Sequence, residues 1–257
     1  MKNNVVIVSH KEIKMPDLEG YNPIQVGDTS QNFEGYLRDN TGNNISNKNP
    51  NYCELTAQYW LWKNDTSDVK GLVHYRRFFE DNLFNITNKA KLKHIIKIKD
   101  IDKILQTYDL ILPKKRNYVI ETSYSHYIHA HMKEGLDVTE NVIKENFPEY
   151  LESYNKVLQR RKAHMFNMFI SSSKIFDDYS SWLFNVLSIV EKNIDISEWN
   201  QSESRIFGYI SELLMDVWLD QHKDLKYKEL RVGFIGNQHW IKKISNFIYR
   251  KVKNRCK

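Results

Sequence analysis

Cysteine, glycine and proline are scarce in this chain of 257 residues, at two, nine and five copies. Cys53 and Cys256 supply neither a disulfide framework nor zinc-finger spacing, which predicts reduced thiols in a cytosolic setting. Glycine this sparse excludes a collagen repeat. Neither a Gly-x-Gly-x-x-Gly turn nor a Gly-Lys-Ser/Thr phosphate loop occurs, so Rossmann dehydrogenase and P-loop ATPase readings have no support. No apolar run approaches the ~18 residues of a membrane span. Only Val5 to Val8 interrupt the polar N-terminal residues, which predicts no secretory leader. What is present, 41% hydrophobic and 27% charged residues, is ordinary globular composition, enough for one large domain or two small ones.

The charge is unevenly placed. Lys and Arg outnumber Asp and Glu by 38 to 32, and the last acid is Glu229. Seven bases fall between Trp240 and Lys257. A near-neutral body therefore carries a basic tail, and the spread basic face of a nucleic-acid reader is missing. In the tail, Trp240, Ile241, Ile244, Phe247, Ile248 and Val252 follow helical spacing with bases in the gaps. That pattern reads as a basic amphipathic helix contacting an anionic membrane surface. The expected division is a domain over 1–225, with halves at about 1–120 and 121–225, and a tail over 226–257.

Hydrophobic patterning predicts an α/β architecture with a mostly parallel sheet flanked by helices. Val5–Val8 reads as a buried strand ending in Ser9-His10-Lys11. A weaker strand covers Pro23–Gly27, and a long polar loop runs from Gly27 to Asn51. Asn49-Pro50 starts a helix that Tyr52, Leu55, Tyr59 and Trp62 carry to about Asn64. Strands follow at Lys70–Tyr75 and Leu110–Pro113, around a helix from Ile101 to Tyr108. The second half is more helical: Leu136–Asn146, Glu149–Arg161, Ile175–Lys192 and a helix beyond Glu203. His164–Ser171 reads as one more strand.

Ligands of open α/β sheets bind at the C-terminal strand ends. Three such ends are basic here: Ser9-His10-Lys11, His74-Tyr75-Arg76-Arg77 and Pro113-Lys114-Lys115-Arg116. Arginine forks suit phosphate oxygens, so the pattern points to an anionic small molecule such as a nucleoside diphosphate. His126, His129 and His131 lack the partners of a zinc site and read as a polar, aromatic wall for sugar rings, or as a plain helix face. Glu203 and Glu212 are candidate general bases. Glu203 also has capping-box spacing from Asn200, and Glu212 falls on the polar side of its helix.

Taken together, these segments resemble the bacterial capsular and exopolysaccharide biosynthesis glycosyltransferases long catalogued as a domain of unknown function. The matching stretches are Val8–Lys11, Ile24–Gly27, Gly35–Gly42, Asn44–Ser46, Asn51–Thr56, Gly71–Arg77, Leu112–Arg116, Tyr124–His126, His129–His131, Asn167–Ile170, and Arg205–Gly208 with Ser211-Glu212. They span about residues 5 to 220. The resemblance implies a GT-A-like fold with a nucleotide-sugar half and an acceptor half. It implies transfer of a hexose, galactose or galactofuranose, from a UDP-sugar to a lipid-linked glycan, on the inner face of the bacterial membrane.

By this resemblance Ser9, His10, Lys11, Arg38, Asp39, Asn40 and Asn44 bind the donor. His74, Arg76 and Arg77 face its diphosphate. Asn167 and the segment from His126 to His131 shape the sugar and acceptor side. The base remains open among Glu203, Glu212 and Asp39, and inversion and retention are both open. GT-A enzymes usually hold Mn²⁺ or Mg²⁺ with an Asp-x-Asp motif. The corresponding position reads His74-Tyr75-Arg76-Arg77, so Arg76, Arg77 or both are expected to replace the metal charge, with Asp39 the rival metal ligand. A non-catalytic module that binds a nucleotide sugar or glycan is the second reading.

Overall fold

The computed structural model describes residues 1–13, 17–81 and 94–235. The helix expected beyond Trp240 lies outside the described residues. Strands β1 (Asn3–Ser9), β2 (Tyr21–Gln25) and β3 (Leu37–Arg38) open the chain. Helices α1 (Asn49–Tyr52) and α2 (Leu55–Asn64) follow, then β4 (Val69–His74), β5 (Arg77–Glu80), α3 (Ile98–Leu105), β6 (Leu110–Pro113) and the short β7 (Arg116–Asn117). The second half holds α4 (Ser123–Ile128), α5 (Glu134–Asn146), α6 (Leu151–Gln159), β8 (Lys162–Ala163) and β9 (Phe169–Ser172). It ends with α7 (Ser173–Lys192), α8 (Ile206–Gln221) and β10 (Tyr227–Phe234).

Eight of the described strands form one sheet. β1 lies between β2 and β4, parallel to both, and β3 extends that edge in parallel. β9 runs antiparallel to both β4 and β6, and β10 runs parallel to β6 and antiparallel to β5. β1 can occupy a central position because Val5 to Val8 are all buried, and a strand covered on both faces needs a continuous apolar run. Its side chains alternate: Val6 and Val8 join the larger core with the helices of the second half. Val5 and Ile7 join a smaller core with Phe78, Phe79, Ile96 and Ile101. Gly71 in β4 is required by packing, since a Cβ there would stand 2.7 Å from Ile170 Cγ1 of β9.

The sheet is mixed rather than mostly parallel, because β5 and β9 run against their neighbours, and three elements also depart from the expectations. The helix expected from Asn49 to Asn64 is two helices, because Cys53 adopts a left-handed φ of 54°. Asn49 Nδ2 fixes the break by donating to the Cys53 carbonyl at 2.8 Å and to Thr56 Oγ1 at 3.1 Å. The strand expected from His164 begins only at Phe169, because Phe166 and Asn167 both have positive φ. Tyr227–Phe234, expected within the tail, is a strand of the sheet. Its alternation is weak because most of its residues keep partial exposure.

Candidate functional site

A cleft of about 580 Å³ opens over the C-terminal ends of β1 and β4. Val8, Ser9, His10 and His74 form its strand side. Asn49, Pro50, Cys53 and Glu54 form one wall, and Gln201, Ser202 and Arg205 the other. The helix break at Cys53 is what brings Cys53 and Glu54 to the cleft. Asn51 Nδ2 ties the two walls by donating to the Ser204 carbonyl at 2.9 Å, and Arg205 Nε donates to Cys53 Sγ at 3.1 Å.

Cations stand close to the strand side of this cleft: Lys11, Arg76 and Arg205 all act on His10, and Arg205 is the one that lines it. Arg76 is exposed and lies 5.1 Å from the Tyr75 ring centroid. Burial, then Lys11, Arg76 and Arg205, lower the His10 pKa. Burial, followed by the nearby Arg77 and His10, pushes His74 down to about 3, so it is a neutral imidazole at ordinary pH. Its Nδ1 is buried and has no hydrogen-bond partner, an arrangement folded proteins rarely leave without a use. Arg77 acts on His74 but does not itself line the cleft. Its guanidinium lies 4.6 Å from the Phe166 ring and 5.8 Å from that of Phe234.

Two carboxylates stand beside this cleft. Asn167 Nδ2 donates to Glu54 Oε1 and to the Gly208 carbonyl, both at 3.0 Å, while Ser211 Oγ donates to Asn167 Oδ1 at 2.9 Å. Glu212 accepts the Phe166 N–H at 3.0 Å. Desolvation, reinforced by the charge of Glu54, pushes the Glu212 carboxyl up to about 7. Glu212 is therefore no solvated helix-face residue. Its backbone donor comes from the positive-φ turn at Phe166 and Asn167, which no helical periodicity can reveal.

The remaining expected residues fall into three groups. Ser9 and His10 line the cleft; Lys11 is exposed beside them and its carbonyl accepts the Ser9 hydroxyl at 2.6 Å. Arg38, Asp39, Asn40 and Asn44 serve their own loop. Arg38 donates to the Thr29 carbonyl, Asn40 to Asp28 and Asn44 to the Gly42 carbonyl. Asp39 is fully buried, and its oxygens accept the Ser46 hydroxyl and the Gly27 N–H. Burial raises its pKa against those bonds. Asp39 consequently does not fit a divalent metal, and among the described residues no group of three or more His, Cys, Asp or Glu side chains could hold one. Glu203 is occupied as a cap partner: its Oε2 accepts from Asn200 Nδ2 at 2.6 Å.

The histidine segment forms its own cluster. Glu121, which no motif marks, accepts or shares protons with His126 Nδ1 at 2.9 Å and His129 Nδ1 at 3.0 Å. Tyr118 stacks on His126, and His131 stacks on Tyr209 at 3.8 Å between centroids. Tyr209 in turn lies 5.8 Å from the Arg205 guanidinium. Stacked side chains thus connect this wall to the cleft. The third basic cluster is not at the cleft. Lys115 faces Asp216 at 3.8 Å, and Arg116 lies on the separate β7–β8 ribbon. Glu54 and Arg205 are two further site residues that sequence patterns do not single out. Both lie in segments that carry the family resemblance, but Glu54 sits inside an apparent helix and Arg205 beside a capping motif, and each context offers a structural role first.

A cleft at the C-terminal strand ends is where open α/β sheets bind their ligands. Residues 4–223 match the family described as domain of unknown function DUF4422, and the chain belongs to that family. Among solved structures the chain is similar to one described as the apo structure of the WbbM bifunctional glycosyltransferase. The TM-score is 0.82 and the identity 28%, over 92% of this chain and 46% of that one. The chain thus spans about half the length of that neighbour. No curated protein matches.

Proposed function

We propose that this chain is a GT-A-like glycosyltransferase that moves a hexose, galactose or galactofuranose, from a UDP-sugar to a lipid-linked oligosaccharide in capsular or exopolysaccharide synthesis. The observation that carries the reading is the cleft over β1 and β4, lined by Arg205 with Lys11 and Arg76 close by, and with the neutral, unpartnered His74 Nδ1 on its strand side. The likeness to a glycosyltransferase structure supports it. In this reading the uridine diphosphate lies over Ser9 and His10. Arg76 and Arg205 offset the charge that builds on the diphosphate as the bond from the sugar C1 to its phosphate oxygen breaks, the work a metal ion does elsewhere. An acceptor hydroxyl oxygen attacks C1 and loses its proton. Glu54 takes that proton, because it is the carboxylate lining the cleft and Asn167 orients it. Glu203 and Asp39 are engaged elsewhere, and Glu212 backs the pair from the Phe166 turn.

A thermal-shift panel of UDP-, GDP-, CMP- and dTDP-sugars, each with EDTA or Mn²⁺, tests the reading. A donor at ~100 times its dissociation constant adds ~2.7 kcal/mol of stability. A UDP-sugar shift that survives EDTA, followed by transfer to a lipid-linked glycan, is expected. A shift only with Mn²⁺ would remove the arginine role. A shift without transfer or donor hydrolysis would identify a non-catalytic binding module, and no shift would end the reading.

A further inference from the structure

The β7–β8 ribbon and the loop it carries lie away from the cleft, and only Ala163 of the ribbon is buried. Arg116 pairs with Ala163 and Asn117 with Lys162, and the loop that follows reaches its tip at Val119 and Ile120. Apart from Met1, the large apolar side chains that stand exposed among the described residues are Val119 at 68%, Ile120 at 70% and Met132 at 36%. Scattered exposed aliphatics are ordinary. This pair is different, because it is adjacent and its backbone is held in an unfavourable form. Val119 has φ of 62°, a left-handed conformation that costs a β-branched residue roughly 1–2 kcal/mol. The Val119 N–H donates to Asn117 Oδ1 at 3.0 Å, and the Ile120 N–H to the Tyr118 carbonyl at 2.8 Å, which fixes the turn.

The exposed charge beside the tip is of one sign, none of the acids nearest Tyr118 (Glu121, Glu212 and Asp216) being exposed. Arg116, Arg161 and Lys162 are exposed, and none forms an ion pair among the described residues. Arg161 stands directly behind the tip, since its carbonyl accepts the Tyr118 N–H at 2.8 Å. From Lys114 to Lys133 the sole acid is Glu121, and it is buried beneath His126 and His129. Two aliphatic side chains therefore project from a platform whose exposed charges are basic. This pairing of apolar tip and basic rim is what an anionic lipid surface complements.

We propose that this tip is a membrane contact: Val119 and Ile120 enter the interfacial layer of an anionic bilayer while Arg116, Arg161 and Lys162 meet lipid phosphates. The contact is separate from the basic segment after Trp240 and does not depend on the transferase reading. It places the histidine wall of α4 beside the lipid headgroups, where a lipid-anchored substrate would be presented.

Co-sedimentation of the full chain with phosphatidylglycerol–phosphatidylethanolamine vesicles, and with phosphatidylcholine vesicles, tests the contact. Wild type is expected to bind the anionic vesicles, and Val119→Asn with Ile120→Ser to weaken that binding about tenfold or more. A second variant, Arg161→Glu with Lys162→Glu, is expected to weaken it without touching the aliphatic pair. Hydrogen exchange of the bound protein should slow at residues 117–122. The proposal is overturned if wild type ignores anionic vesicles, or if both variants bind as wild type does. Protection confined to the segment after Trp240 also overturns it. A change in self-association with unaltered vesicle binding would assign the tip to a protein contact instead.

Discussion

His74 ends β4 among Arg76, Arg77 and Arg205, whereas His164 leaves β8 between Asp216 and Glu229. Desolvation opposes the charge on both. At His74 the neighbouring cations add to that penalty and the ring stays neutral. At His164, the hydrogen bond to Asp216 at 2.7 Å and the Glu229 carboxylate 3.3 Å from Nε2 outweigh burial and raise the pKa. Asp216 is lowered: burial opposes its charge, but the His164 bond offsets that, helped by Lys115. Burial alone thus says little about a histidine; the sign of its neighbours decides whether it is poised for a ligand or serves as a structural tie. His164 and Asp216 tie β8, α8 and β10 together, while His74 keeps an unfilled nitrogen beside the cleft.

The largest effect expected from breaking this contrast is at the tie. Asp216→Ala leaves a buried imidazole beside Lys115 and should cost about 3 kcal/mol or more in urea denaturation. The pH dependence has opposite signs at the two sites. The His164 contribution is full below the free value of 6.5 and is lost as pH rises through its higher folded value. At His74 the unfolded chain binds a proton near 6.5 that the fold refuses until about 3, so stability falls as pH drops between those values. Denaturation midpoints across pH should therefore lose their acid-side slope in His74→Gln and their alkaline-side slope in Asp216→Ala. Unchanged slopes would refute the assignment.

At the cleft, Glu54→Gln is expected to lower kcat about 100-fold while the UDP-sugar thermal shift persists. Equal kcat would exclude Glu54 as the base. Arg205→Ala should weaken donor binding about tenfold, read by calorimetry, through loss of a charged hydrogen bond. The smallest effect is at the loop tip: Val119→Asn relieves the left-handed strain and should raise stability by about 1 kcal/mol. A lower melting temperature would show that the Val119 side chain is held by packing rather than tolerated at the surface.

Much of the scaffold is legible in the amino-acid sequence. Four consecutive apolar residues at Val5–Val8 are comfortable only between two layers, and the stripe from Ile206 to Trp218 requires a buried helix face. The strand ends at Ser9-His10 and at His74 also lie at the cleft, because strand-end position follows from the strands themselves. The third basic cluster misleads, since the ribbon that carries Arg116 away is made by pairing with Lys162–Ala163, a contact across more than forty residues.

Local pattern therefore determined most of the strands and helices, and which strand ends carry bases, because periodicity and charge are carried by neighbours in the chain. Tertiary structure alone decided the rest. The left-handed turns at Cys53 and at Phe166–Asn167 bring Glu54, Asn167 and Glu212 to the same side of the cleft, and such turns carry no periodic signature. It buried Asp39 under Ser46 and Gly27, and it surrounded one histidine with arginines and another with carboxylates. These outcomes depend on which distant charges share a low-dielectric space, and that is a property of packing.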